Sequence, residues 1–360
     1  MRTLASIQRV REIRPIEGAD AIECAVINGW TVVAKKNEFH VDDLVVYCEI
    51  DSWIPTELAP FLSKGKSPRE YEGVSGERLR TVRLRGQLSQ GLILPLTIIP
   101  GYEEFGDVPH VELTDEHGVK SLVPLVEGFE VTEILGIQKW EAPIPAQLRG
   151  QIKGMFPSFL RKTDEQRVQN LIDLFPQFIG TRFNLHEKLD GSSMTVYHRD
   201  GEFGVCSRNL DIAETEDNSF WQIANRYDLK TKMPMGGNIA IQGELVGPGV
   251  QKNRYNLKEL DVYLFSVFDI DTGEYMGVES AKGVAEALGM KWVPFVCDYE
   301  FTENDTVESL LALAEGPSVL NSSVEREGLV WRPYREQEIR NLGRLSFKTI
   351  SNKFLEKGGD

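Results

Sequence analysis

A lysine set between two acidic residues and followed by a glycine is the part of this sequence with the clearest chemical potential. Residues 185–193 read Leu-His-Glu-Lys-Leu-Asp-Gly-Ser-Ser, which places Lys188 between Glu187 and Asp190. A lysine amine becomes a nucleophile once it loses its proton. Taken alone, the pattern is common by chance, and an exposed loop with local salt bridges is its plainer interpretation.

Further short motifs follow this lysine in order along the second half of the chain. The first is Ser207-Arg208-Asn209, about twenty residues downstream, and the next begins with Glu244 in an apolar run. Glutamates within apolar runs are poorly explained as ordinary surface residues. The remaining motifs are Phe265 to Ile270, Glu327 to Pro333, and Ser346 to Lys348.

Together these motifs resemble those of the covalent nucleotidyltransferases, the superfamily of ATP-dependent ligases and capping enzymes. The closest resemblance is to the RNA ligase 2 branch, through the segments GELVGPGVQKN, FDI and EGLVWRP. It covers roughly residues 160 to 357 and all six family motifs in order. The resemblance implies an ATP-dependent RNA ligase that seals breaks with 3′-hydroxyl and 5′-phosphate ends, and it implies RNA as the partner.

The resemblance assigns a role to each residue that would handle the nucleotide. In this superfamily the lysine of the first motif attacks the α-phosphate of ATP and becomes lysyl-AMP, which gives that role to Lys188. Glu187 would bind the adenine amino group, and Phe268 and Val330 would sandwich the adenine ring. The AMP then passes to the 5′-phosphate of the RNA, and the 3′-hydroxyl expels it.

Basic residues are expected at the phosphates. By the same resemblance, Arg208 contacts the ribose or a phosphate, and Lys348 neutralises charge on the α-phosphate. Lys252, in the GPGVQKN segment, is a further candidate for a phosphate contact.

The acids around Lys188 imply a metal ion. A free lysine has a pKa near 10.4, so exposing its neutral amine at pH 7 costs about 4–5 kcal/mol. Neighbouring carboxylates such as Asp190 oppose deprotonation unless a divalent ion offsets their charge. Oxygen ligands beside a nucleotide indicate Mg²⁺ or Mn²⁺. By resemblance, Asp190, Glu244 and Glu327 are the metal-site carboxylates, the two glutamates acting through metal-bound water.

The fifth motif departs from the family pattern. RNA ligase 2 relatives usually carry lysines at alternate positions, whereas Ser346 stands here in place of the first. Either Lys348 is sufficient, or another basic residue such as Lys353 or Arg332 shares the charge. A non-catalytic RNA-binding protein with a degenerate transferase domain therefore stays an alternative. A DNA ligase and a capping-type guanylyltransferase are two more, because they use the same lysine chemistry.

The first hundred residues predict short strands. Asn28-Gly29 is a hairpin signal between two apolar runs, and further strands are expected at 44–50, 79–84 and 91–96. Short strands with turns between them indicate a small OB-like barrel. Three arginines of the 79–84 region are candidate nucleic-acid contacts, namely Arg80, Arg83 and Arg85.

The whole chain is expected to be α+β. We expect an OB-like nucleic-acid-binding module over 1–140, a proline-rich linker over 141–160, and a transferase domain of antiparallel sheets with flanking helices over 161–360. Residues 163–166 have the form of a capping box, and apolar residues at helical spacing follow, which predicts a helix reaching Phe175.

Composition limits the function classes. The chain has 360 residues and a net charge of −15, so it should bind nucleic acid only through local basic surfaces. No apolar run is long enough to span a membrane. Its four cysteines are far apart, which favours reduced thiols and a cytoplasmic location. We expect no membrane partner, and a monomer is favoured.

Overall fold

The computed structural model describes residues 3–106, 108–114, 117–141 and 150–357. Within these ranges the chain forms two compact units. The first extends to residue 141 and also takes in Gln169–Ile172, and the second comprises the other described residues from 150 onward. Most of the predicted linker, residues 142–149, lies outside the described residues. No described helix is long and apolar enough to cross a membrane.

The first unit consists almost entirely of β-strands joined by tight turns. Its strands are β1 (Ala5–Pro15), β2 (Ile22–Ile27), β3 (Trp30–Lys35), β4 (Leu44–Cys48), β5 (Ser52–Pro55), β6 (Arg69–Tyr71), β7 (Val74–Arg78), β8 (Val82–Leu84), β9 (Gln87–Ser89), β10 (Leu92–Leu94), β11 (Tyr102–Phe105), β12 (Val108–Thr114), β13 (Lys120–Pro124) and β14 (Gln138–Lys139). Short 3₁₀ turns lie at Pro60–Ser63 and Leu96–Ile98.

A nearly closed barrel forms the centre of this unit, as the sequence predicted. Five antiparallel strands run in the order β10-β4-β1-β2-β3. The far edge curls back, because the Val33 N–H donates to Ser89 Oγ at 2.9 Å and the Gln90 N–H donates to the Thr31 carbonyl at 2.7 Å. Apolar side chains from the barrel and the strands after it share one core, which includes Ile7, Val46, Ile54, Leu94, Val111 and Val131.

One predicted turn is present and one predicted strand is divided. Ile27 pairs with Trp30 across Asn28-Gly29, and Asn28 has a φ of 50°, a left-handed conformation that asparagine tolerates. The strand expected over 79–84 is interrupted after Leu79. Buried Leu79 stays against the core, whereas residues 82–86 are exposed and start a separate hairpin of β8 with β9.

The second unit combines strands with short helices. Its strands are β15 (Ile152–Met155), β16 (Gln166–Arg167), β17 (Arg182–Lys188), β18 (Ser192–Arg199), β19 (Glu202–Cys206), β20 (Leu210–Ile212), β21 (Ile239–Val246), β22 (Asp261–Asp269), β23 (Glu274–Tyr275), β24 (Lys291–Trp292), β25 (Phe295–Glu300), β26 (Gly328–Pro333), β27 (Glu338–Ile339), β28 (Gly343–Arg344) and β29 (Phe347–Ile350). Its helices are α1 (Phe175–Phe178), α2 (Ser219–Arg226), α3 (Leu229–Lys232), α4 (Val278–Leu288), α5 (Val307–Ala314) and α6 (Asn352–Glu356).

Two mostly antiparallel sheets form the frame of this unit. The larger runs in the order β15-β20-β19-β18-β21-β22-β23, with β24 beside β22, and its helix-covered face packs against α2, α3 and α4. The smaller runs in the order β16-β29-β26-β17-β25. Rings of Phe183, Trp331 and Phe347 pack on one face of the smaller sheet, with centroids 5.2–5.8 Å apart. By alternation, Lys188, Val330 and Lys348 lie on the opposite face of these strands.

The predicted helix over 163–175 is wrong except at its end. Residues 166–167 form β16, which pairs in parallel with β29, and 3₁₀ turns at Val168–Asn170 and Ile172–Leu174 precede α1. The capping box does not form because its fourth residue, Gln166, lies in β16 and pairs with Phe347. The two acids between the capping positions make ion pairs instead. Asp164 pairs with Arg208 and Lys348, and Glu165 pairs with Arg332.

Candidate nucleotide-binding site

Lys188 stands at the end of β17, where the strand lies between β25 and β26. Its Nζ is 2.7 Å from Glu327 Oε1, and its backbone pairs with Gly328. The strands approach closely here: a β-carbon on Gly328 would lie 2.1 Å from the Thr349 carbonyl oxygen. A β-carbon on Gly191 would lie 2.3 Å from the Leu245 oxygen. Both glycines are therefore required for the lysine and the motif strands to meet.

Carboxylates from three segments act electrostatically on this lysine. Glu244 lies on β21 and pairs with Ser193 of β18, the strand that follows Lys188 along the chain. Glu327 is buried just before β26 begins. The charges of Glu327, Glu244 and Asp190 all act on Lys188.

Both Lys188 and Glu244 favour their protonated forms in this cluster. Burial alone would lower the pKa of Lys188, but the charges of Glu327 and Glu244 outweigh it and raise the pKa above its ordinary value. Burial raises the pKa of Glu244 to about 8, and it also raises that of Glu327. An added cation would relieve both the buried acids and the protonated amine.

The carboxylates suit a hydrated ion better than a bare one. In the described part of the chain, no three His, Cys, Asp or Glu side chains converge closely enough to hold a metal directly. Mg²⁺ keeps several of its waters in protein sites, so acids around a hydrated ion need not touch it.

Glu187 has one carboxylate oxygen available for a ligand. The side chain is buried, and its Oε2 accepts the Val319 N–H at 2.7 Å. Its Oε1 is buried without a hydrogen-bond partner among the described residues. An unsatisfied buried acceptor is costly, and the amino group of an adenine is the kind of donor it lacks.

Asp164 lies between two basic residues of the predicted site. Its Oδ2 is 3.2 Å from Arg208 Nη2, and its Oδ1 is 3.2 Å from Lys348 Nζ. One carboxylate thus holds both cations side by side. Arg208 is exposed and Lys348 is buried, so the pair reaches from the domain surface inward.

Ser346 is linked to a buried arginine. Arg332 donates from Nε to Ser346 Oγ at 3.5 Å and from Nη2 to Glu165 Oε1 at 2.9 Å. Lys353, the other candidate for replacing the missing lysine, is instead at the surface and pairs with Glu315 at 2.8 Å. Of the two, Arg332 is the one beside the fifth motif.

The structure separates Phe268 from the other predicted adenine contacts. Phe268 is 2% exposed and packs with Leu160 and Tyr197, which leaves its ring little access for a nucleobase. Phe265 is only partly buried, and the Arg332 Cζ lies 5.5 Å from its ring centroid. It packs in the cluster with Leu189 and Leu320, beside the Val319 amide that binds Glu187. Val330 is partly buried on the strand next to Lys348 and His186.

The GPGVQKN segment braces the lysine turn. Gln251, Lys252 and Asn253 all have positive φ values, of 39°, 56° and 48°. Just after them, the buried Tyr255 hydroxyl accepts the Asp190 N–H at 2.6 Å. Lys252 itself is exposed, so its predicted phosphate contact stays a prediction.

In the first unit, the predicted arginines divide into two kinds. Arg80, Arg83 and Arg85 are exposed on or beside the β8–β9 hairpin. Arg78, on the preceding strand, pairs with Asp51 at 2.7 Å and stacks 3.8 Å from the Trp140 ring centroid. Arg78 is therefore structural, and the other three remain candidate contacts to nucleic acid.

Sequence patterns alone did not identify several residues at the site. Asp164 and Glu165 have no role in the sequence analysis beyond lying inside the expected capping box, Tyr255 is not singled out, and Phe268 is chosen in place of Phe265. No signal in the sequence separated Phe265 from Phe268, because only the register of β22 shows which of the two rings is accessible.

A family model described as RNA ligase matches residues 181–350, and an OB-fold domain model matches residues 4–96. A comparison with curated proteins finds no match. The barrel and the lysine-centred site thus define an OB-fold joined to a nucleotidyltransferase domain.

Solved structures of the Naegleria gruberi RNA ligase resemble the whole chain. An apo variant is 43% identical, with 99% of this chain and 98% of that chain covered and a TM-score of 0.84. The enzyme with pyrophosphate is 44% identical, with 99% of both chains covered and a TM-score of 0.83. A variant with ATP and Mn is 43% identical, covers 100% of this chain and 99% of that one, and has a TM-score of 0.83. The chain belongs to the RNA ligase family.

Proposed function

We propose that this chain is an ATP-dependent RNA ligase that joins 3′-hydroxyl and 5′-phosphate ends. The observation that carries the proposal is the placement of Lys188 among buried acids, on the same strand as a buried Glu187 oxygen without a hydrogen-bond partner among the described residues. The family membership, with relatives solved with ATP, AMP, Mn and pyrophosphate, supports the same reaction.

Three displacements at phosphorus follow in one pocket. The Lys188 amine, after losing its proton, bonds to the α-phosphorus of ATP, and the bond to pyrophosphate breaks. An oxygen of the RNA 5′-phosphate then attacks that phosphorus, which breaks the P–N bond and returns the amine. Finally the 3′-hydroxyl gives up its proton, attacks the 5′-phosphorus and expels AMP. Positioning and charge neutralisation supply the catalysis in each displacement.

The acids around Lys188 are proposed to hold a hydrated divalent ion. Asp190, Glu244 and Glu327 would contact its waters, with Mg²⁺ or Mn²⁺ as the ion. A bound divalent charge favours the neutral amine and stabilises negative charge on phosphate oxygens. The raised pKa of Lys188 supports this assignment, because the negative charges of Glu327 and Glu244 that outweigh burial are the charges that a divalent ion would offset.

Basic side chains on the motif strands are proposed to receive the phosphates. Lys348 neutralises the α-phosphate, and Arg208 contacts the ribose or a phosphate, with Asp164 holding them side by side. Ser346 stands where relatives carry a lysine, and Arg332 is proposed to supply the positive charge in its place. The 3.5 Å contact between Arg332 and Ser346 supports this.

The adenine is proposed to lie between Val330 and Phe265, with its amino group donating to Glu187. Phe265 takes the place that sequence analysis gave to Phe268, because the Phe268 ring is packed inside another cluster. Outside the pocket, Arg80, Arg83 and Arg85 are proposed to bind RNA, and Lys252 a phosphate. The free cysteines suit a reducing compartment such as the cytoplasm.

One set of assays tests the proposal and its alternatives. The purified protein is incubated with α-labelled ATP or GTP and a divalent metal, then offered nicked duplexes of RNA, DNA and mixed strands. We expect label from ATP and sealing of RNA-containing nicks. Labelling by GTP would favour a capping enzyme, sealing of all-DNA nicks alone a DNA ligase, and no label at all a non-catalytic RNA-binding protein.

A further inference from the structure

Beside Arg208, the second unit carries a surface on which cations lie against aromatic rings. We call it the basic-aromatic ledge and define it by Met155, Phe156, Phe159, Arg161, Lys162 and Arg199. Lys162 Nζ lies 5.6 Å from the Phe156 ring centroid, and Arg199 Cζ lies 4.6 Å from that of Phe159. Arg161 and Lys162 are exposed, and Met155 is 74% exposed. None of these side chains takes part in the proposed transfers.

The ledge exists because the chain crosses the large sheet on the face that the helices leave open. Val196 and Ile239 point to the helix side, whereas their neighbours Tyr197 and Ala240 point to the other. Leu160 packs onto that second face, with Phe156 and Phe159 partly buried around it. The cations that follow are consequently left at the surface.

Hydrogen bonds fix the ledge to the motif that contains Arg208. The Phe156 N–H donates to the Asn209 carbonyl at 2.9 Å, and Lys162 Nζ donates to Asn209 Oδ1 at 2.7 Å. A strand of nucleic acid that leaves the nucleotide pocket past Arg208 therefore meets the ledge next.

Packing alone is the competing explanation for these contacts. A cation over an exposed ring contributes about 0.5–1 kcal/mol, so stability could account for the arrangement. Arg199 also has an acid nearby, since its Nε is 3.5 Å from Asp200 Oδ2. Such exposed pairs are weak and open to exchange for a phosphate. Among the described residues, Arg161 and Lys162 form no ion pair with an acid, although the chain as a whole is strongly acidic.

We propose that the basic-aromatic ledge binds the RNA strand whose 5′-phosphate enters the pocket past Arg208. This inference rests on the proposed ligase function. Arg161, Lys162 and Arg199 would contact successive phosphates, and bases would stack on the accessible edges of Phe156, Phe159 and Met155. Rings interleaved with cations are typical of surfaces that bind single strands without reading their sequence.

The test compares RNA binding by two double variants. Arg161→Ala/Lys162→Ala removes the two ledge cations without acidic partners, and Lys230→Ala/Lys232→Ala removes two exposed charges from α3, on the opposite face of the sheet. The probe is a fluorescent single-stranded RNA with a 5′-phosphate and a 3′-deoxy end, which cannot be sealed. Affinity is measured by anisotropy over a range of salt concentrations.

We expect the ledge variant to bind this RNA about tenfold or more weakly, with the slope of log affinity against log salt reduced by about 1.4, as for the loss of two phosphate contacts to a single strand. The α3 variant should bind like the unchanged protein, and both should form lysyl-AMP at the unchanged rate. Arg161→Lys/Lys162→Arg should restore the binding.

Equal RNA affinity and equal salt slope in the ledge variant and the unchanged protein would overturn the inference. A ledge variant that also fails to form lysyl-AMP would overturn it as well, because the effect would then not be confined to RNA. Failure of the proposed function would give a different result, because the unchanged protein would then take no AMP and seal no RNA. The binding comparison does not depend on either reaction.

Discussion

Lys188 is held as an ammonium by the carboxylates around it. Glu327 is in contact with it and Glu244 acts on it from the neighbouring sheet, so the nucleotide-free site keeps the amine protonated. A hydrated divalent ion shared by these acids would offset their negative charge and so lower the pKa of the amine. At the residue scale, we therefore expect the balance between acids and metal to decide when the lysine becomes a nucleophile.

His186 lies two residues before that lysine and is kept neutral by its surroundings. It is buried, and its Nε2 accepts the Trp292 Nε1–H at 3.2 Å, which requires an unprotonated nitrogen. Burial, followed by the charge of Arg332, lowers the pKa of His186 to about 3 from 6.5.

This histidine should make the protein sensitive to acid. Below pH 6.5 the unfolded chain binds a proton at His186 that the folded chain does not, so the free energy of unfolding falls as the pH falls. The loss is at most about 1.4 kcal/mol per pH unit. Urea unfolding between neutral pH and about pH 5.5 should show a smaller loss for His186→Gln, which keeps an acceptor for Trp292 and does not titrate. Equal losses in both proteins would contradict this assignment.

Two phenylalanines three residues apart should respond differently to truncation. Phe265→Ala should raise the KM for ATP about tenfold with little change in stability, because it removes a ring that stacks on adenine. Phe268→Ala should lower the free energy of unfolding by about 3–5 kcal/mol, because it leaves a cavity in a packed cluster.

Lysyl-AMP formation at varied ATP concentrations and urea unfolding measure the two effects. Phe268→Leu, which keeps most of the volume, should preserve the KM for ATP. A raised KM in Phe268→Leu together with an unchanged one in Phe265→Ala would restore Phe268 as the stacking residue.

At the scale of elements, the β8–β9 hairpin is the part of the first unit best suited to RNA. Arg80, Arg83 and Arg85 are exposed there, whereas Arg78 is committed to Asp51 and Trp140. Replacing the three exposed arginines by alanine should weaken RNA binding at least tenfold and lower its salt dependence, with self-adenylation intact.

A charge-matched variant controls that experiment. Lys64→Ala/Lys66→Ala/Arg69→Ala also removes three exposed cations from the first unit, but from the 3₁₀ turn, its following loop and β6. Anisotropy with labelled RNA should separate the two variants. Equal losses of affinity would mean that only net charge matters and that the hairpin is not a binding element.

The strands could be predicted from the sequence better than the structure of residues 163–175, the segment at the start of the second unit. The Asn28-Gly29 turn and the strand Ile239–Val246 are encoded locally, by turn chemistry and apolar runs. The helix expected at 163–175 failed because Asp164 and Glu165 bind cations that lie far along the chain. Contacts over such separations leave no local pattern, and the accessible aromatic of β22 depended on register in the same way.

At the scale of the whole molecule, the acidic charge sets where RNA can bind. With a net charge of −15, most of the surface repels a phosphate backbone, so affinity must come from local basic surfaces and must fall with salt. The order of the motifs indicated the reaction from the sequence because the resemblance assigns one chemical group to each motif. The mutual positions of those groups required the fold.

The Lys188→Ala variant should separate the first of the three transfers from the last. Lys188→Ala should seal no RNA with ATP, because it has no amine to carry the AMP. It should still seal RNA that already bears AMP on its 5′-phosphate, because that last displacement uses only the 3′-hydroxyl and expels AMP. Gel assays of both substrates measure this, with Lys353→Ala as a control that should retain both activities.

The most direct test of the ligase assignment is mass spectrometry of the purified chain after incubation with ATP and magnesium or manganese. We predict one added AMP, bonded to the side-chain nitrogen of Lys188, which is lost when RNA with a 5′-phosphate is supplied. No adduct under these conditions, or an adduct on another residue, would contradict the account.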